Sequence, residues 1–141
     1  MTEDEIICET PIDGVKVVRF NRPDSLNAFT HSMYCNLLDI LAEIRVDASI
    51  RAMILTGTGR GFCSGHDLKA AGENKFVAPG FGKPHLDRMT MESMNRIPIA
   101  MRALPQPIIC GVNGVAAGLG YSLALASDMA IAARSAKFIN T

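Results

Sequence analysis

An α/β fold is predicted by three features of the chain. Short β-rich apolar runs alternate with longer stretches of helical periodicity, the mark of strands and helices packed in layers. A strand, a glycine turn and a helix occur at 50–71 and are echoed at 107–127. No long linker or low-complexity tract interrupts the 141 residues, which suit one domain over 1–141.

Taken in order, Ile6–Thr10 and Val15–Phe20 read as strands, with Asp13-Gly14 between them as a hairpin signal. Asn21-Arg22-Pro23-Asp24 breaks the second run. Met33, Leu37, Leu41 and Ile44 recur on one stripe, which predicts a helix over His31–Asp47 with that stripe in the core. Ile50–Thr56 is the third strand. Gly57–Gly65 reads as a glycine-rich loop, His66–Ala71 as a short helix and Glu73–Pro84 as a mobile loop. Leu86–Leu104 is helical by its apolar spacing, and Pro98 is expected to kink or interrupt it. Pro107–Asn113 is a strand and Gly118–Ser127 a helix, with short strands at Met129–Ala133 and Lys137–Ile139. The strands at 50–56 and 107–112 are apolar throughout, so both faces of their sheet need cover.

Composition removes several classes of function. The apolar fraction is 48% and the charged fraction 20%, which excludes a largely disordered chain. Fourteen basic and fourteen acidic side chains cancel, so no positive surplus points to nucleic acid or anionic lipid. Cys8, Cys35, Cys63 and Cys110 lack the spacing of a zinc site, and no metal is expected. The acidic N-terminus lacks an apolar signal region, which with free thiols points to the cytoplasm. Pro107–Ser127 is uncharged over 21 residues, but its glycines and its change from β-branched to Ala/Leu-rich favour strand, turn and helix over a membrane span.

The two glycine turns are the candidate site. Each places backbone N–H groups ahead of a helix, where they have no internal acceptor, and two such turns can converge on one oxygen that becomes anionic. Spacing alone favours a plainer role, glycines that only permit tight turns. Neither turn carries a dinucleotide or nucleoside-triphosphate fingerprint. Gly61-Phe62-Cys63-Ser64-Gly65 matches a nucleophile elbow with Cys63 as a thiol nucleophile, and Asp67 and His85 would complete a triad. That hydrolase reading is weakened by Gly57–Arg60, which separate the strand from the motif.

Several motifs in order carry a resemblance. They are Asn21-Arg22-Pro23, Asn27-Ala28, Gly59-Arg60-Gly61-Phe62-Cys63-Ser64-Gly65-His66-Asp67-Leu68, Val112-Asn113-Gly114-Val115-Ala116-Ala117-Gly118, Ser127-Asp128 and Ala136-Lys137-Phe138. Together they resemble the enoyl-CoA hydratase/isomerase family, the crotonase superfamily, from about Ile6 to Phe138. The resemblance implies a crotonase (ClpP-like) fold of repeated strand-strand-helix units, with the C-terminal helical part absent.

It also implies an acyl-CoA site. The backbone N–H groups of His66 and Leu119 would form the oxyanion hole for a thioester enolate. Substrate contacts would come from Ser64, Gly65, Asp67, Leu68, Lys69 and Gly118. Lys69 stands where the family meets CoA phosphate, with Arg22 a further cation. No cofactor is implied beyond the CoA of the substrate, and the family assembles as homotrimers or hexamers. Ser122 occupies the position of a family glutamate, and a second acid/base glutamate would lie just beyond Phe138. A serine hydroxyl cannot do the acid/base work of a carboxylate near neutral pKa. An enoyl-CoA hydratase/isomerase is therefore expected, with an inactive acyl-CoA-binding or truncated family member as the alternative. Asp128 is expected to be structural.

Overall fold

The computed structural model describes residues 4–73 and 83–141. β1 (Ile6–Ile12) and β2 (Val15–Phe20) pair antiparallel, with Ile12 opposite Val15 across the Asp13-Gly14 turn. A 3-10 turn at Pro23–Ser25 leads through Leu26 and Asn27 to α1 (His31–Val46). The hydroxyl oxygen of Thr30 accepts the Met33 N–H at 3.2 Å and so caps that helix. Met33, Tyr34, Leu37, Leu41 and Ile44 are all buried, as the periodicity predicts. Burial of each aliphatic member contributes about 1.5–3 kcal/mol.

β3 (Ala52–Gly57), β5 (Ile108–Val112) and β7 (Met129–Ala132) extend the hairpin in parallel, giving the sheet order β1-β2-β3-β5-β7. β4 (Gly61–Cys63), β6 (Val115–Ala117) and β8 (Lys137–Ile139) form a second, parallel sheet. α2 (Leu68–Glu73) follows β4, α3 (Lys83–Arg102) follows α2, and α4 (Leu119–Ala126) follows β6. Each repeat thus sends its first strand to the large sheet and its second to the small one. Because β4 and β6 are parallel neighbours, with Gly61 opposite Val115, the chain leaves both at the same end. That topology brings the two glycine turns side by side.

β4 and β6 lie inside stretches read from sequence as loop and turn. At three residues each, they are too short to show a period. Pro98 lies within α3, which continues past it, so the expected interruption is not seen. The loop expected over Glu73–Pro84 falls, apart from its ends, outside the described residues, as does the side chain of His85. Pro107–Ser127 divides into β5, β6 and α4, and no helix among the described residues is long and apolar enough to cross a membrane.

Met53, Leu55, Ile108, Cys110 and Val112 fill the core from one face of the large sheet, while Ile54 and Ile109 are half-buried on the other. The last two strands differ. Met129, Ile131, Phe138 and Ile139 are exposed, as is Leu125 on α4.

Candidate active site

The first turn is built outward from the core. Phe20 packs edge-on against Phe29 at 4.9 Å between centroids, Phe29 against Tyr34 at 5.2 Å, and Tyr34 against the imidazole of His66 at 5.7 Å. The Tyr34 hydroxyl lies 3.2 Å from His66 Nδ1. Burial pushes the Tyr34 hydroxyl's pKa up, and desolvation holds His66 below its usual value against the opposing charge of Asp67.

The backbone of His66 is oriented by a parallel bridge to Phe29. The Phe29 N–H donates to the Gly65 carbonyl at 2.8 Å, and the Asp67 N–H donates to the Phe29 carbonyl at 2.9 Å. In such a bridge the flanking residues make both bonds, so the N–H of His66 itself points away from Phe29. The loop entering the turn is held by two asparagines. Buried Asn27 donates to the carbonyls of Thr58 at 3.0 Å and Gly61 at 2.8 Å, and accepts the Arg22 N–H at 2.8 Å. Asn113 donates to the carbonyls of Gly59 at 2.8 Å and Gly61 at 3.0 Å, and accepts the Gly57 N–H at 3.1 Å.

The second turn ends at Gly118, whose N–H donates to the Ile139 carbonyl at 3.2 Å. Leu119 opens α4, so its N–H has no acceptor within the helix. Its side chain packs against the core. The two turns touch. Gly65 has φ +106°, and a Cβ placed on it would stand 3.9 Å from the Leu119 nitrogen and 3.3 Å from the Ala117 carbonyl oxygen. The backbone N–H groups of Gly65 and Gly120, one from each turn, act against burial to lower the pKa of the Cys63 thiol.

Other residues singled out from sequence fall into distinct roles. Lys69 and Leu68 are exposed on α2. The Ser64 hydroxyl donates to the Ser25 carbonyl at 3.2 Å. Asp67 caps α2, its Oδ1 accepting the Lys69 and Ala70 N–H groups at 3.0 Å each. Those bonds, chiefly that from Ala70, together with Arg22 lower its pKa despite desolvation. Arg22 is already engaged: its guanidinium meets Asp67 at 2.9 Å, the Ala28 carbonyl at 2.5 Å and Glu5 at 3.2 Å. Of the two cations expected near CoA phosphate, Lys69 is the one left exposed to solvent.

Ser122 is exposed and its hydroxyl donates back to the Gly118 carbonyl at 3.3 Å, so the position that the resemblance gives to a glutamate carries no carboxylate here. Cys63 is fully buried, and burial pushes its thiol up to about 12. A thiol so held is not a thiolate at neutral pH, which removes the nucleophile the hydrolase reading needs. Asp128 is structural, bonding the Ile108 N–H at 2.8 Å and Arg102 at 3.1 Å. Among the described residues no group of three or more His, Cys, Asp or Glu side chains could hold a metal.

Sequence reasoning did not assign Tyr34 or the paired roles of Asn27 and Asn113. Both asparagines lie within the motifs quoted for the resemblance, but their convergence on one carbonyl is a tertiary fact. Tyr34 reads as one more core residue.

Repeated strand-strand-helix units, with two helix-leading glycine turns joined at one sheet end, define a crotonase-type α/β protein. The chain belongs to the enoyl-CoA hydratase/isomerase family, whose model matches residues 11–141. It is 44% identical over 126 residues to 1,2-epoxyphenylacetyl-CoA isomerase of Escherichia coli (strain K12), covering 89% of this chain and 47% of that protein. The crystal structure of an enoyl-CoA hydratase from Bacillus anthracis superposes with a TM-score of 0.85 at 31% identity, covering 96% of this chain and 50% of that one. A monofunctional enoyl-CoA isomerase from M. smegmatis gives 0.75 at 36% identity, covering 95% and 52%. The chain spans about half the length of the curated relatives it matches.

Proposed function

We propose that this chain binds an acyl-CoA thioester and polarises its carbonyl, as an enoyl-CoA hydratase/isomerase-type unit. The observation that carries this reading is the junction of the two turns. The N–H of His66 is turned away from Phe29, the N–H of Leu119 opens a helix, and Gly65 and Gly118 abut between them. Two fixed donors aimed at one oxygen favour the enolate over the ketone form, and each such donor is worth about 3–4 kcal/mol of barrier. Lys69, exposed on α2, is the cation offered to CoA phosphate. The reading calls for no cofactor beyond the CoA of the substrate. The relatives' names support an acyl-CoA substrate and leave hydration and isomerisation both open.

Titration of an acyl-CoA into the folded protein by calorimetry tests the reading. Saturable binding is expected, and its absence at millimolar ligand would end the idea. With Ser122 bonded to Gly118 where a family glutamate would stand, hydration of crotonyl-CoA by the 141-residue chain should be weak or absent. That supports the second reading, an acyl-CoA-binding unit without hydratase chemistry. Turnover at a typical hydratase rate would refute it.

Assembly as a homotrimer or hexamer, in the cytoplasm, belongs to the same proposal. Exposed Met129, Ile131, Phe138 and Ile139 support association, since soluble monomers rarely show contiguous apolar patches above a few hundred Å². Light scattering on the purified chain should report a species larger than 15.2 kDa. A monodisperse monomer that binds no hydrophobic dye would remove this part.

A further inference from the structure

We infer that the Glu5–Arg22–Asp67 chain of ion pairs is the positioning device for the His66 N–H. The inference rests on the carbonyl-polarising reading above. Three observations carry it.

Asp67 directly follows His66, and its two carboxylate oxygens face different elements. Oδ1 accepts the Lys69 and Ala70 N–H groups of α2, and Oδ2 meets Arg22. Asp67 is therefore held from α2 on one side and from the Arg22 turn on the other, and Arg22 also holds the Ala28–Phe29 peptide, whose N–H donates to the Gly65 carbonyl of the peptide that carries the His66 N–H. Arg22 is itself fixed. Its Nε meets Glu5 at 3.2 Å, its Nη1 donates to the Ala28 carbonyl at 2.5 Å, and its backbone N–H is held by Asn27. Glu5 in turn accepts hydroxyl hydrogen bonds from Thr30 and Ser32 at the start of α1. The chain thus runs from the cap of α1 to the cap of α2, with the bridge residue Phe29 enclosed between Ala28 and Thr30.

Neither Arg22 nor Asp67 is an exposed pair. Their side chains retain 22% and 11% of full exposure, against 79% and 62% for the Arg88–Glu92 pair on α3. Partial burial makes such a pair geometrically demanding, because loss of one partner leaves the other charge poorly solvated. The amide of a donor that must meet a developing oxyanion tolerates little displacement, so the chain acts on carbonyl polarisation more than on binding.

The experiment reads the bound carbonyl directly. An acyl-CoA labelled with carbon-13 at the thioester carbonyl is added to saturation, and its chemical shift is compared with that of free ligand. Asp67→Asn keeps an oxygen to cap α2 but removes the charge that pairs with Arg22. Arg22→Lys keeps a cation without the fork that reaches Asp67, Glu5 and Ala28 together. Arg19→Gln, which breaks only the exposed Glu9 pair, is the control.

Wild type and the control are expected to move the carbonyl resonance downfield. Asp67→Asn should lose most of that displacement while still saturating with ligand, and Arg22→Lys should retain part of it. Saturated Asp67→Asn and Arg22→Lys proteins that displace the carbonyl as fully as wild type would overturn the positioning role and leave the functional reading intact. Wild-type protein that binds without moving the resonance, or does not bind, would overturn both. If Asp67→Asn fails to fold, full displacement in folded Arg22→Lys is sufficient to overturn the inference.

Discussion

The two glycine turns meet at one place but are held there by opposite means. The first, Gly61–Asp67, is fixed by side chains: Asn27, Asn113, Arg22 and Tyr34 each reach it from another element. The second, Gly114–Gly120, is fixed by missing side chains. A Cβ on Gly114 would overlap the Arg60 carbonyl, and one on Gly120 would overlap the Cys63 carbonyl. Polar braces can be weakened by degrees, whereas a backbone in contact with backbone cannot yield without moving a strand. The first turn should therefore respond to substitution in graded fashion, and the second as a step.

The largest effects should come from the second turn. Gly114→Ala and Gly120→Ala each place a methyl group against main chain of the first turn, and each should cost about 3 kcal/mol or more. Denaturant unfolding measures the loss. A cost under about 1 kcal/mol would show that the strands slide apart easily, and the contrast between the turns would collapse.

Next come the asparagines. Asn113→Ala leaves the Gly57 N–H without its side-chain acceptor and takes one donor each from the carbonyls of Gly59 and Gly61. A loss of about 1–3 kcal/mol is expected, because buried polar groups left unpaired keep their full desolvation penalty. Asn27→Ala should fall in the same range. The double variant should lose less than the sum, since both donate to the Gly61 carbonyl. Strict additivity would show that the two braces act on separate loops.

The charged part of the first turn has a pH signature. Asp67 has a lowered folded pKa, chiefly through the Ala70 N–H, so the unfolded state binds the proton more readily. Its contribution is present above the ordinary aspartate value of about 3.9 and is lost as pH falls through the lower folded value. His66 adds a separate dependence of the same sign. Desolvation lowers its folded pKa, so stability declines as pH falls below the ordinary histidine value of about 6.5. Unfolding curves of wild type and Asp67→Asn should converge toward acid and diverge above it. Parallel curves across that range would detach the carboxylate from the fold.

What the letters reveal follows the same division. Steric needs are written as glycine, so Gly65, Gly114, Gly118 and Gly120 mark the junction in the sequence itself. The hairpin at Asp13-Gly14 and the Met33–Ile44 stripe are legible because turn chemistry and a 3.6-residue period are local properties. β4 and β6 are not legible, since three residues carry no period and their pairing is between distant segments. Arg22 is a basic residue beside a candidate anion site, and sequence cannot show that Asp67, 45 positions away, already holds it. Exposure is just as non-local. Ile131 in β7 resembles Ile109 in β5, but β5 lies between β3 and β7 while β7 stands at the sheet's edge.

The smallest effect should come from Ser122, which the family resemblance sets at the position of a glutamate. Its hydroxyl is exposed and donates to the Gly118 carbonyl four residues back. Back-bonding of this kind contributes little to a helix and nothing that α4's own ladder does not already supply. Ser122→Ala should shift stability by no more than about 0.5 kcal/mol and leave acyl-CoA binding unchanged. Ser122→Glu then sharpens the comparison, because the side chain starts from α4, one helical turn beyond Gly118. A carboxylate added there meets no paired cation among the residues that brace the first turn, since Arg22 is engaged by Asp67 and Glu5. The variant should therefore bind acyl-CoA with the wild-type carbonyl displacement, and any hydration of crotonyl-CoA that it gains belongs to the new carboxylate. Loss of binding in Ser122→Ala would instead place the hydroxyl in contact with the ligand, and the second turn would no longer be a purely steric device.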